Sequence, residues 1–281
     1  MTLRDYSAYA DEARQAANAR YKQWMIPLVV AGAIAGGLIG SFGGTDVVQI
    51  VIGALAGAVA GLLLHALIKY FSADSQADER YTADWCLEHG CRHLESFDGL
   101  PNAPYANSGH SRRSTDAIQG VLNGLPTLFY NFKYTTGSGK NQTTHHHKIM
   151  QISGPTLPVA SLNFNRRGPV NIRMLDRLDS TVTSQRHVEL ESIDFNEKFK
   201  LEMDDHGDDV WVRQVFDPVT IDALVTGTLD LADIRYYDGA FWMVDDGQYD
   251  ADELNGMLGW QIRGAAAVRH FCRVQGNDAA S

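Results

Sequence analysis

WMIPLVVAGAIAGGLIGSFGGT runs from Trp24 to Thr45, and VVQIVIGALAGAVAGLLLHALI runs from Val47 to Ile68. Each stretch is 22 residues long and uncharged, and Asp46 alone separates them. At 1.5 Å per residue each helix would span about 33 Å, enough to cross a hydrocarbon core of about 30 Å. A soluble domain seldom carries two such runs side by side. A secretory signal fits worse, because its leader would extend past Arg20 and include Asp5, Asp11 and Glu12. The link from Ser41 to Asp46 is short, so the two helices are expected to form an antiparallel transmembrane hairpin.

Gly32, Gly36 and Gly40 recur every fourth residue in the first helix, as Gly53, Gly57 and Gly61 do in the second. Small residues on one face let two backbones approach closely. The stripes read either as a helix–helix interface, inside the hairpin or between copies, or as the ordinary glycine content of membrane helices. Lys and Arg flank the pair at Arg4, Arg14, Arg20, Lys22, Lys69 and Arg80, and the connecting turn has none. The positive-inside rule then puts both termini in the cytoplasm, for a multi-pass protein of the inner cell membrane. Trp24 and Tyr70 stand where interfacial aromatic anchors belong. His65 lies one turn before Lys69 and is expected to reach the headgroups. No chain of ionisable residues crosses the apolar segments, which argues against a transporter or proton pump.

The averages conceal this. The chain has 281 residues, a mean hydropathy of −0.21 and a net charge of −10. Three cysteines cannot form a disulfide scaffold, and the acidic balance argues against a nucleic-acid partner. The expected division is a juxtamembrane helix over 1–23, the hairpin over 24–71 and a cytoplasmic domain over 72–281. The juxtamembrane face of Tyr6, Tyr9, Ala13, Ala16, Arg20 and Tyr21 could lie on the membrane or against the distal domain.

Past Phe71 the chain turns polar. Asp74 can cap a helix ending near His89, with Gly90 as its left-handed terminator. Residues 96–114 read as loop. Ile118–Leu122, Asn123-Gly124 and Leu125–Tyr134 form a hairpin signal of type I′. Its second strand divides by face, with Phe129, Asn131 and Lys133 opposite Leu128, Tyr130, Phe132 and Tyr134. Further strands are expected at His145–Ile152, Val159–Phe164, His187–Ser192, Phe199–Met203 and Val210–Phe216. Asp217 caps a short helix from Pro218. Ile234–Tyr237 and Ala240–Val244 form the strongest hairpin, and a helix closes the chain from Tyr249 to about Phe271. The fold class is α+β, a mainly antiparallel sheet with few helices behind a transmembrane hairpin.

Charge divides this domain along the chain. Residues 92–186 hold 11 basic and 5 acidic residues, and residues 187–253 hold 4 basic and 19 acidic. The basic half would suit anionic lipid headgroups or an acidic protein partner, and the acidic half would be repelled from the membrane.

Several segments together carry a resemblance. They are Tyr134-Thr-Thr-Gly-Ser-Gly-Lys140 with Thr-Thr-His-His-His147, Leu157-Pro158, Glu191-Ser-Ile-Asp-Phe-Asn196, Phe199 and Phe216-Asp-Pro218. With them the chain resembles a group of uncharacterised bacterial membrane proteins, frequent in actinobacteria. These have an N-terminal membrane hairpin and a cytoplasmic β-rich domain. The similarity covers about residues 80–260. It implies the architecture and a bacterial membrane location, and it transfers no catalytic or binding residue. Cys86 and Cys91 lie outside the pattern.

The candidate chemistry is thin. Cys86, His89, Cys91 and His93 are zinc ligand types, yet structural sites usually separate their ligand pairs more widely. His145 and His147 would share a strand face and could chelate a metal, as in a metal-dependent hydrolase, with nothing nearby in sequence to complete the site. Gly137-Ser138-Gly139-Lys140 lacks the leading glycine and trailing Ser or Thr of a phosphate loop. Glu202, Asp204, Asp205, Asp208 and Asp209 lack the order of a calcium loop and read as a solvated turn. No catalytic, cofactor or metal residue is therefore assigned. The reading that results is a membrane-anchored interaction or scaffold protein with a protein or anionic-lipid partner. A homo-oligomer assembled through the glycine faces and a metal-dependent hydrolase are the alternatives.

Overall fold

The computed structural model describes residues 5–42, 47–97, 109–167, 185–231, 233–237 and 239–273. The chain forms two compact units, Met1–Trp85 and Cys86–Ser281.

Two helices make the first unit, α1 (Tyr6–Phe42) and α2 (Val47–His89). Both are long and apolar enough to cross a membrane. Their large apolar side chains, among them Ile34, Leu38, Ile39, Val51, Leu55 and Leu63, point outward and are exposed. The glycine stripes face each other. A Cβ on Gly36 would collide with the Gly53 carbonyl oxygen, and one on Gly32 with that of Gly57. At the ends of the stripe, a Cβ on Gly61 would lie 2.6 Å from the Leu28 oxygen, and one on Gly40 2.6 Å from that of Gln49. The interface reading of the glycines therefore holds, inside the hairpin.

Each step of four residues along α1 is matched by a step of four along α2. The same spacing continues beyond the apolar segments. Tyr9, Ala13 and Ala17 are buried on α1, as are Ala73, Ala77 and Tyr81 on α2. Tyr81 takes the Tyr6 and Tyr9 rings edge-on at 5.5 and 5.4 Å. The Tyr6 hydroxyl donates to Asp78 at 2.7 Å and the Tyr9 hydroxyl to Asp84 at 2.6 Å.

Three expectations change in this unit. The juxtamembrane helix is not separate but continues into α1, through Pro27. Its inward face packs on α2 and uses Ala17 where Ala16 was expected. No helix begins at Asp74, because α2 runs through it unbroken; Gly90, at φ +66°, ends that helix as expected. His65 extends the glycine stripe by one step, so it turns inward at 9% exposure and does not reach outward.

Among the described residues, the second unit is a nine-stranded sheet with four α-helices. Its strands are β1 (Cys91–Phe97), β2 (His110–Leu122), β3 (Leu125–Thr136), β4 (Thr143–Ser153), β5 (Ser161–Arg166), β6 (Gln185–His187), β7 (Phe199–Asp204), β8 (Ile234–Tyr237) and β9 (Ala240–Asp246). They lie in the order β1-β2-β3-β4-β9-β8-β5-β7-β6, and every pairing is antiparallel. Asn123 and Gly124, at φ +50° and +78°, make the expected turn between β2 and β3. The helices are α3 (Ile193–Lys198), α4 (Asp209–Val215), α5 (Pro218–Thr226) and α6 (Leu254–Arg273).

The α+β reading holds, with local corrections. Residues 96–97 and 110–114 are strand where loop was expected, and 98–108 lie outside the described residues. Val210–Val215 is helical, with Phe216 as its C-cap, although Val210, Trp211 and Val212 favour strands. Asp208 caps it by accepting from the Val210 and Trp211 amides, and Trp211, Val212 and Val215 then bury one face. Of the strand expected at His187–Ser192, only the segment ending at His187 joins the ladder.

Directly opposed residues in antiparallel strands share a face. One face carries Tyr130, Phe132, Tyr134, Ile149 and Trp242. The other carries Phe129, Met150, Ile152, Phe241 and Met243, and α6 packs there. Gly264 allows the approach, since a Cβ would lie 2.6 Å from Ile152 and 2.7 Å from Met150. On the same face Phe164 gathers Phe195, Phe199 and Phe216 within 6 Å, bringing in α3 and the α4–α5 joint.

Candidate functional site

The histidine run lies on β4 and divides by the strand period. His145 and His147 sit opposite Tyr134 and Phe132, as the alternation requires. The Tyr134 ring stacks on both, with centroids at 4.9 and 5.6 Å. His145 Nε2 lies 2.9 Å from the Thr136 hydroxyl. His147 is 2% exposed, with Nδ1 3.2 Å from Asp246 on β9 and a buried Nε2 that has no hydrogen-bond partner. Burial pushes the His147 pKa down, and Asp246 partly opposes it. Burial also raises the Tyr134 hydroxyl, assisted by the Asp246 charge. Asp246 arrives through the β4–β9 pairing, which has no trace in local sequence. A third carboxylate or imidazole does not join them: among the described residues, no three His, Cys, Asp or Glu side chains gather to hold a metal.

The other motifs scatter. Cys86 is buried near the end of α2, and burial with the neighbouring Cys91 pushes its thiol up to about 12. Burial raises Cys91 as well, so both stay thiols at neutral pH. His93 is exposed on β1. Gly137–Lys140 is an exposed turn between two strands. Within the acidic run, Asp204 accepts from the Ala160, Ser161 and His206 amides, and Asp208 caps α4. Backbone amides account for both carboxylates.

The charge division is undone by the strand order. β9 and β8 insert between β4 and β5, so acidic segments lie beside basic ones. Lys148 pairs with Asp245 at 3.6 Å and Glu253 at 3.3 Å, and Arg166 pairs with Asp230 at 3.3 Å. Arg186 pairs with Asp209.

One concavity joins two of the quoted segments. A pocket of about 460 Å³ is lined by Leu190, Glu191, Ser192 and Asp194, by Arg213 and Phe216, and by α5 residues Pro218, Ile221, Asp222 and Val225. Its walls are pinned locally. Asn196 accepts from the Leu190 amide at 3.2 Å and donates to the Leu190 carbonyl at 2.6 Å. Ser192 caps α3 by accepting from the Phe195 amide, and Asp217 caps α5 by accepting from Thr220 at 2.7 Å. The floor is apolar and the rim holds Glu191, Asp194 and Asp222. Arg213 lies 3.7 Å from Glu191. Sequence reasoning missed this site because α3 was unforeseen. The signal was present in Ser192, three residues before Phe195, as a helix cap.

No family model matches the chain, and no curated protein matches it at significance. Among solved structures, the crystal structure of the mycobacterial trehalose monomycolate transport factor A, TtfA, is similar at 9% identity and a TM-score of 0.43. The likeness covers 69% of this chain and 94% of that one. A similarity at that distance does not show what this chain binds.

Proposed function

We propose that the chain is a membrane-anchored interaction protein, held by two spanning helices with both termini cytoplasmic. The hairpin carries this reading. Its glycines are used against each other, and most of its large aliphatic side chains face outward, where only lipid suits them. The contact of the glycine faces within one copy supports a hairpin that forms without a second copy. The second unit, residues 86–281, is then the part that meets a partner.

Alkaline carbonate extraction of membranes tests the anchor, and release into the supernatant would refute it. Reporter fusions at each end test the orientation, with cytoplasmic signals expected from both. Crosslinking in intact cells should recover the same protein partner reproducibly, and an empty result would count against the interaction role.

A further inference from the structure

We infer that the pocket bounded by α3, α4 and α5 is a docking site for a basic segment of a partner protein, one with an apolar anchor between Lys or Arg residues. The inference rests on the interaction reading above and names its surface and partner chemistry. Leu190, Phe216, Pro218, Ile221 and Val225 give the cavity an apolar floor, and about 460 Å³ lies in the range of sites that swallow side chains or small ligands. The apolar surface does not stop at the cavity. Ile193, between two lining residues, is 74% exposed, and Val219, beside Pro218, is 78% exposed. A small ligand filling the cavity would leave both in water, whereas an extended segment would cover them.

Charge selects the occupant. Glu191 is matched by Arg213, but Asp194 and Asp222 have no basic partner among the described residues. Glu191, Asp194 and Asp222 outnumber Arg213 and Lys198, whose Nζ donates to the Val225 carbonyl at 3.0 Å, and this acidic excess around an apolar floor favours Lys and Arg flanking the anchor and disfavours anionic lipid. The walls are preformed by the Asn196 clamp and the Ser192 and Asp217 caps, so little ordering is required on binding.

The test uses the full chain in phosphatidylcholine nanodiscs and fluorescein-labelled peptides. The probe carries a Leu-Phe pair between Lys and Arg residues. One control replaces the basic residues by Glu, and a second replaces Leu-Phe by Ala-Ala. The probe should bind at least about tenfold more tightly than either control, and more weakly as salt rises. Asp194→Asn with Asp222→Asn should cost about tenfold for the basic probe and remove most of the salt dependence. Ile193→Ser should weaken the probe, while Asp252→Asn should change nothing. No binding, equal binding of probe and controls, or binding indifferent to the pocket variants would overturn the inference. A cellular crosslinking partner retained by the Asp194→Asn/Asp222→Asn variant would overturn it as well, while leaving the interaction reading intact.

Discussion

The two units are held together by opposite means. In the hairpin, contact is made by residues without side chains: Gly36 meets Gly53 and Gly32 meets Gly57, backbone against backbone. In the sheet unit, Phe164, Phe195, Phe199 and Phe216 meet ring against ring. On the membrane-anchored reading proposed above, the difference follows from the solvent. Lipid rewards no burial of aliphatic surface, so helices there gain from close approach and dispersion. Water rewards the removal of each large ring from its surface. The hairpin changes regime along its length, because Tyr9, Tyr81 and Trp85 are buried only beyond the apolar segment.

Substitutions can break this contrast from either side. The largest effect is expected from Gly36→Leu, whose side chain has no space that the Gly53 backbone does not occupy. The helices should part, and the helical circular dichroism in detergent should melt at clearly lower temperature. An unchanged melt would contradict the glycine contact. Phe164→Ala opens the opposite kind of interface and should destabilise the second unit by about 3–5 kcal/mol, seen as a lowered denaturant midpoint. The hairpin should keep its own melting temperature.

Smaller effects come from the titrating and capping groups of the sheet unit. Asp217→Ala removes the α5 cap and should cost about 1 kcal/mol. The Asp217 pKa is held below its usual value, chiefly by the Thr220 amide. Its folded pKa is thus depressed, so its contribution is present above the unfolded carboxylate range and lost as pH falls through the folded value. The substitution should matter at neutral pH and vanish in strong acid. The smallest effect is that of His147. Its pKa lies below the usual histidine value, so its neutral form is favoured by folding. Stability should fall as pH drops below about 6.5, and His147→Phe should flatten that decline in melts from pH 7.5 to 5. Burial lowers His270 in the same direction, so part of the decline should persist.

Much of this architecture was legible where it depends on neighbours in sequence. The hairpin follows from two uncharged runs and a short link, and the division of β3 by face follows from a period of two. The Asn123-Gly124 turn follows from residues that tolerate positive φ. What escaped depends on distant partners. Val210–Val215 has strand composition, yet the Asp208 cap and burial of Trp211 against Phe271 make it helical. The pocket around Ile221 also escaped, as did the Asp246 partner of His147. His147 meets Asp246 only because β9 pairs with β4, and Leu190 meets Ile221 only once α3 and α5 are folded. The split of charge along the chain was real in sequence and misleading in space for the same reason.

That strand order also sets a timetable. β9 and β8 join the β1–β4 meander to β5, β7 and β6, and they consist of residues 234–246. During synthesis the two glycine-lined helices leave the ribosome first and can enter the bilayer while the sheet still lacks its middle. Until residue 246 emerges, β4 lacks its β9 partner, and β5 lacks β8 until residue 237, so each presents an open hydrogen-bonding edge. On the anchored reading proposed above, the chain is tethered before it is folded, and any chaperone that protects those edges must work on a nascent domain already held by its hairpin.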